Sequence, residues 1–290
     1  MSYLTNYIKL IRPHQWIKNL IVFGPLIFAG QLGSIYDIKL SVVAFVAFCA
    51  MASGVYVLND LFDLEADRAH PKKKMRPIAS GKVSPSHARL FALVFMSIGL
   101  LLAVMININV AYILLAYLAV NIAYSVGLKR VVIVDILIIA TGFVLRVMAG
   151  AIAISVVVSG WILVTTFFLA LFFVIGKRRH ELLYLGDDAR SHRQTLDNYT
   201  TTMLDHFTVM TATASVISFA LYTLSPETIA RFHTSNLVFT LPFVIYAVFR
   251  YYFLIYKKDG GADPSAEIIS DVPLLISIIL WGFLVIAIIY

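Results

Sequence analysis

Between Asn59 and Gly81 the chain reads NDLFDLEADRAHPKKKMRPIASG, an Asn-Asp-x-x-Asp-x-x-x-Asp pattern followed by a basic cluster. If Asn59 to Asp67 continues the apolar helix before it, at about 100° per residue Asp60, Asp63 and Asp67 fall within a stripe roughly 60° wide, while Glu65 points about 140° away. Carboxylates so placed repel one another, and near a helix C-terminus the macrodipole disfavours them further. A cation is therefore expected among them. Oxygen ligands without His or Cys favour Mg2+, which keeps waters and bridges one or two carboxylates to substrate phosphates. Lys72, Lys73, Lys74 and Arg76 supply charges that would hold those phosphates from the other side. A solvated acidic helix end followed by a basic juxtamembrane segment is the plainer alternative, but it leaves the single acidic face unexplained.

The elements that must carry this motif are apolar. Hydrophobic residues make up 60% of the 290-residue chain and charged ones 13%, against roughly 45–50% and 25% in soluble domains. An all-α, polytopic membrane protein is expected. Apolar runs near 20–35, 41–58, 88–106, 110–127, 132–154, 160–176, 207–224, 236–256 and 272–290 predict nine transmembrane helices. With nine crossings, the basic residues at Lys9–Lys18, Arg68–Arg89, Lys129–Arg130, Lys177–Arg193 and Lys257–Lys258 all lie on one face, and only Lys39 and Arg231 on the other. The positive-inside rule then places the N-terminus and the long loops in the cytoplasm, at the inner membrane. The net charge of +7 belongs to that face, so nucleic acid is not an expected partner. Lys9, Arg12, Pro13 and Lys18 interrupt the opening segment, and no secretory signal peptide is expected. The single cysteine, Cys49, excludes an intrachain disulfide or a multi-thiolate metal site and stands apart from the candidate residues.

Taken in order, YIKLIRPHQWIKN predicts an amphipathic helix on the membrane surface, broken near Pro13, with Trp16 at headgroup depth; Arg12, Lys18 and Asn19 are interfacial anchors or phosphate contacts. Ser84-Pro85 predicts a helix start, and Ser80-Gly81 a turn. Asp135 and Arg146 are close to three helical turns apart and share a face, and an arginine deep in an apolar helix marks a functional cavity or a structural ion pair. A second mixed-charge loop follows Gly176-Lys177-Arg178-Arg179-His180-Glu181, with Asp187, Asp188, Arg190, Arg193 and Asp197. Two such loops on one face suit two half-sites for an anionic ligand. Lys257 to Asp271, with Gly260-Gly261 and Pro264, is expected to be a flexible connection. On a crowded acidic face, Asp60→Ala or Asp63→Ala should relieve repulsion and leave the fold intact. A transporter for an anionic solute would use the same cations, but it calls for charge on both faces, and the outer loops hold little beyond Asp37, Lys39, Glu227 and Arg231.

These residues resemble the UbiA-type intramembrane prenyltransferase superfamily, whose Asn-Asp-x-x-Asp-x-x-x-Asp motif is matched by Asn59, Asp60, Asp63 and Asp67. RPHQWIKN, DRAHPKKKMRPIASG, YSVGLK, GFVLRVMAGA and GKRRHEL are similar to the phosphoribosyl-transferring branch of that superfamily. The resemblance implies a single transmembrane domain over 1–290, with nine helices around a central polar cavity open to the cytoplasm. It implies transfer of 5-phosphoribosyl from 5-phosphoribosyl 1-diphosphate to a decaprenyl-type polyprenyl phosphate, for cell-envelope arabinose precursor synthesis. Asp60, Asp63 and Asp67, with Asn59, would hold Mg2+ on the leaving diphosphate. Lys18, Lys73, Arg76, Tyr124, Lys129, Arg146, Lys177, Arg178 and Glu181 would bind substrate. Membrane lipid surrounds the chain, and a homo-oligomer is left open. Prenyl transfer from a polyprenyl diphosphate to an aromatic acceptor is the alternative in the same superfamily. The second Asp-rich motif of its aromatic prenyltransferases is replaced here by GKRRHEL, and a cation-rich loop suits a donor with an extra phosphate.

Overall fold

The structure, a computed structural model, describes residues 3–70, 73–185, 194–258 and 260–290. Helix α1 (Tyr3–Ile11) is followed by a 3-10 helix (Pro13–Phe23) that runs into α2 (Gly24–Phe28). Then come α3 (Ile35–Phe62), α4 (Leu64–Ala69), α5 (Pro85–Ile106), α6 (Ile108–Val126), α7 (Val134–Ala153), α8 (Gly160–Leu185) and α9 (Thr201–Leu224). Finally there are α10 (Pro226–Phe232), α11 (Leu241–Lys257), α12 (Pro264–Ser270) and α13 (Val272–Ile289). No strand occurs among the described residues.

Among the described residues eight helical segments are long and apolar enough to cross a membrane: α3, α5 to α9, α11 together with the 3-10 turn before it (Asn236–Lys257), and α13. The run at 20–35, expected as the first of nine crossings, is not one continuous helix. It comprises the end of the 3-10 helix, the short α2 with Pro25 in its first turn, and a turn at Gly30, where φ is +72°. Local signals set the other boundaries much as expected. Ser84 Oγ accepts from the His87 amide with Pro85 at the first helical position of α5, and Asn107 alone separates α5 from α6 and caps the latter.

The chain divides into two compact units, Met1–Leu26, Gln31–Val131 and Leu145–Val156 in the first, and Ile27–Gly30, Val132–Val144 and Val157–Tyr290 in the second. In the first, α3 and α5 approach closely because Gly54 lies against the Ala92 carbonyl and Gly99 against the Ala47 carbonyl. Lipid gives helices no hydrophobic reason to associate, so small residues that admit close van der Waals contact decide such pairings. Gly150 is tighter still, since a Cβ there would stand 2.0 Å from the Val22 carbonyl oxygen. Phe48, Met51, Leu114 and Tyr117 fill this core. A second cluster of Leu10, Val57, Ile78, Val83, Ala88 and Ala92 ties α1 and the loop after α4 to the end of α3. Helix α1 therefore packs one face on protein and does not simply rest on the membrane surface.

In the second unit α8 pairs with α9, and Phe172, Leu254 and Ile255 pack with Tyr251 around α11. The connection expected to be flexible, Lys257 to Asp271, is instead fastened. The Gly261 amide donates to Glu267 Oε1 at 2.6 Å, the Gly260 amide to the Leu254 carbonyl at 3.0 Å, and Asp263 caps α12. Gly261 has φ +103°, and a Cβ on it would meet the Gly176 carbonyl oxygen at 2.8 Å.

Candidate active site

The acidic motif straddles a break. Helix α3 stops at Phe62, Asp63 takes φ −95° and ψ 9°, and α4 resumes at Leu64. The expected continuous helix is thus interrupted within the motif. Asp60 in the last turn of α3 and Asp67 in α4 remain on one side, both buried, and both meet the same guanidinium: Arg76 Nη1 lies 2.9 Å from Asp60 Oδ1 and 2.7 Å from Asp67 Oδ2. Arg12 Nη2 lies 2.5 Å from Asp60 Oδ1. Asp63, freed from the helix, pairs with Lys129 Nζ. Glu65 points away as the helical count requires and pairs with Arg68 at the surface.

The three aspartates are therefore not gathered into one cluster, and no group of three His, Cys, Asp or Glu side chains is poised for a metal among the described residues. The donor chemistry nonetheless fits a hard divalent ion. Two buried carboxylate oxygens, Asp60 Oδ1 and Asp67 Oδ2, converge on the same cationic nitrogen, Arg76 Nη1, so the pair is a hard-oxygen set already built around positive charge. Nor is the acidic face bare. Arg12, Arg76 and Lys129 neutralise it, so the repulsion expected from spacing alone is already met, and truncating Asp60 would strand two guanidiniums instead of relieving strain. Burial pushes the Asp67 carboxyl above its ordinary range, against the pull of Arg76 and the nearby Lys73.

Local backbone places each cation. Arg12 precedes Pro13, a position that disfavours the helical region, and it adopts a left-handed conformation with φ 50° and ψ 61°. Ser53 on α3 pins that break by donating to the Ile11 carbonyl at 2.9 Å and accepting from Trp16 Nε1 at 3.0 Å. Trp16, expected at headgroup depth, thus binds protein. The Arg12 guanidinium also lies over the Tyr56 ring at 5.3 Å. Arg76 leaves a 3-10 turn, Lys73–Met75, whose first amide donates to His70 Nδ1. Lys129 sits in the 3-10 turn Leu128–Arg130 after α6. Asn59 meets the hydroxyl of Ser125, which also donates to the Asn121 carbonyl. Tyr124, half-buried, is in the same last turn of α6, and Lys18, half-buried, lies within the 3-10 helix. Lys72 lies outside the described residues.

Arg146 is buried in the first unit, where Asn19, Tyr117 and Phe48 contact it. Its Nε donates to Asn19 Oδ1 at 2.7 Å and its Nη2 to the Tyr117 hydroxyl at 3.1 Å, with the Phe48 and Tyr117 rings at 5.3 and 5.0 Å. Asn19 in turn donates to Cys49 Sγ at 3.2 Å. The lone cysteine is one hydrogen bond from the site, where sequence had set it apart. Tyr117, Ser53 and Ser125 went unread in the sequence; their only signal is a polar group on an apolar helix.

Asp135 is wholly buried in the second unit, where Arg178 Nε approaches to 3.3 Å, the Tyr199 hydroxyl donates at 2.9 Å and the Thr195 hydroxyl at 3.4 Å. Arg178 Nη1 also donates to Glu181 Oε2 at 2.8 Å. Burial raises the Tyr199 phenol above its usual range, so it stays protonated and donates to Asp135. Its oxygen also accepts the Ile133 amide at 2.7 Å, holding a β-branched residue at φ 69°. Arg178 and Glu181, expected as substrate ligands, pair with one another. Lys177 beside them is half-buried. Asp187, Asp188, Arg190 and Arg193 lie outside the described residues.

The comparisons agree with this picture. The model of the UbiA prenyltransferase family matches residues 20–288. The decaprenyl-phosphate phosphoribosyltransferase of Corynebacterium glutamicum is 35% identical over 98% of this chain and 86% of its own, and that of Mycolicibacterium smegmatis 36% identical over 96% and 90%. A UbiA homolog from Archaeoglobus fulgidus, solved bound to DMAPP and Mg2+, has the same fold, with a TM-score of 0.74 at 21% identity over 97% of this chain and 99% of that one. An acidic motif laid across a helix break, an apolar helical frame and a match spanning nearly every residue lead to one assignment: the chain is an integral membrane protein of the UbiA prenyltransferase family.

Proposed function

We propose that this protein transfers the 5-phosphoribosyl group of 5-phosphoribosyl 1-diphosphate to a decaprenyl-type polyprenyl phosphate, releasing diphosphate, for the synthesis of cell-envelope arabinose precursors. The choice of substrates is carried by the near full-length identity to the two bacterial phosphoribosyltransferases. The chemistry is supported by the pairing of the motif carboxylates with Arg12, Arg76 and Lys129.

In the transfer, a phosphate oxygen of the lipid forms a bond to C1 of the ribose as the C1–O bond to diphosphate breaks, and the electron pair leaves with the diphosphate. A phosphate monoester with a second pKa of about 6 is already largely dianionic at neutral pH, so the nucleophile needs no general base. Asp60, Asp63 and Asp67, with Asn59, are the residues proposed to hold Mg2+. When bound, that ion supplies positive charge to the departing diphosphate oxygens. Arg76, Lys73 and Lys129 grip the phosphates, and Arg12, on the same oxygen of Asp60 as Arg76, adds charge. Arg146, held in place by Asn19 and Tyr117, supplies a fixed positive charge, and Lys18 and Tyr124 complete the substrate-binding set. For the 5-phosphate and ribose we assign Lys177 and Glu181, with Arg178 orienting Glu181.

The chain 1–290 is one domain of nine crossings, the first near 20–35, with a polar cavity open to the cytoplasm. The basic termini and loops place the N-terminus on the cytoplasmic side of the inner membrane. The purified protein should release diphosphate from 5-phosphoribosyl 1-diphosphate only when polyprenyl phosphate and Mg2+ are both present. Release without the lipid, or none with it, would overturn the proposal.

A further inference from the structure

All three aspartates of the motif carry cations from the chain itself, and for Asp60 and Asp67 the two partners differ in how they are held, whereas Asp63 stands at the helix break with its side chain 39% exposed. Asp60 and Asp67 are on helices and nearly inaccessible, their side chains 5% and 4% exposed. The cations are 20–30% exposed and spring from irregular backbone: Arg12 from a left-handed helix break, Arg76 from the loop after α4, and Lys129 from a 3-10 turn. Each can swing on its own long side chain without moving a helix. Asp60 and Asp67 are fixed, and the cations facing them are movable.

From this arrangement we infer that Arg12, Arg76 and Lys129 are exchangeable counter-ions: they hold the motif carboxylates before substrate arrives and pass to the diphosphate when a divalent ion comes with it. The inference rests on the metal-diphosphate assignment made above and adds to it an order of events. Three carboxylates facing three cations are already neutral. A divalent ion arriving alone must displace Arg76 Nη1 from between Asp60 and Asp67 and leaves an excess of positive charge in a half-buried site, which like-charge repulsion disfavours. A diphosphate supplies the negative charge that the released guanidinium and ammonium groups need. Metal and diphosphate therefore bind with positive coupling, and reciprocity requires each to strengthen the other equally. The site stays closed to free divalent ions and opens to their diphosphate complex.

The experiment uses the full chain in detergent, with binding of Mn2+ alone followed by the electron paramagnetic resonance of the free ion, and binding of magnesium diphosphate by calorimetry. Arg12→Gln and Lys129→Gln each remove one counter-ion, and Lys129→Gln alters the more exposed pair, so that one variant remains folded if the other does not; thermal unfolding checks both. Each variant is expected to bind Mn2+ alone about tenfold more tightly and magnesium diphosphate about tenfold more weakly than the wild type, in line with ordinary coupling energies. Loss of both affinities, or change in neither, would overturn the inference and leave these residues a merely structural role. If the wild type binds neither probe, the metal-diphosphate assignment falls as well, an outcome distinct from wild-type binding without the crossed pattern in the variants.

Discussion

Arg178 and Asp135, 43 residues apart in the chain, meet at 3.3 Å with side chains 3% and 0% exposed. Such a pair is weak evidence for net stability, but removing one partner leaves the other charged and buried, at a cost of about 3–5 kcal/mol. Asp135→Ala should therefore lower the melting temperature sharply in detergent, while the double variant Asp135→Asn with Arg178→Met recovers part of the loss. A role for Arg178 in substrate binding alone would lower activity in Arg178→Met without moving the melting temperature.

Asp60→Asn keeps the shape of the side chain and removes the negative charge that Arg12 and Arg76 share. Turnover should fall at least a hundredfold, the scale expected when one group stabilising a departing charge is lost, and thermal stability should drop modestly instead of rising. Initial rates of diphosphate release, with unfolding curves on the same preparation, check both halves.

Asp271 caps α13 through the Leu274 amide at 3.1 Å and takes a two-pronged contact from Arg250 at 2.9 and 2.8 Å. The Arg250 hydrogen bonds hold its carboxyl below the usual carboxylate range, with the Leu274 amide adding to the effect. A depressed folded-state value means that the unfolded chain binds the proton first, so this stabilisation is complete above the ordinary carboxylate value and is lost as pH falls through the depressed one. Asp271→Asn should lower the melting temperature at pH 7, and the gap from wild type should close as pH drops below about 4. An undiminished gap in acid would contradict this account of the pair.

Gly150 and Gly261 admit no side chain. Gly150→Ala puts a Cβ 2.0 Å from the Val22 carbonyl oxygen, and Gly261→Ala combines φ +103° with a 2.8 Å approach to the Gly176 carbonyl. Overpacking and strained backbone each cost about 1–3 kcal/mol. Both variants should accumulate less in membranes than wild type, with Gly150→Ala the more severe. Gly261→Ala also presses on α8 one residue before Lys177, and should raise KM for the phosphoribosyl donor. Equal accumulation and kinetics would show that the loop yields where the geometry says it cannot.

Much of the site was legible because helical periodicity is arithmetic: Asp60 and Asp67 do share a side, and Glu65 does point away. The break at Asp63 was not, since neither Gly nor Pro marks it and the partner that draws Asp63 off, Lys129, is 66 residues distant. Long-range pairing is likewise silent in a single chain. Asp135 and Arg146 share a helix, yet Asp135 is claimed by Arg178 and Tyr199, which no spacing rule foretells. Gly260-Gly261 reads as flexible because glycine permits unusual φ, but a permitted conformation can also be a locked one once Glu267 takes the Gly261 amide. The apolar runs foretold the long helices well. They failed at 20–35, where average hydropathy is high but Gly24, Pro25 and Gly30 divide the segment.

The central claim is tested most directly by offering membranes containing this protein both donor and acceptor pairs at once: 5-phosphoribosyl 1-diphosphate with polyprenyl phosphate, and polyprenyl diphosphate with an aromatic acid. Mass spectrometry of the extracted lipid should find polyprenyl-phosphoryl 5-phosphoribose, formed with Mg2+ and absent when Asp60 is replaced by Asn. A prenylated aromatic product, or phosphoribosyl lipid formed equally well by the Asp60→Asn protein, would contradict it.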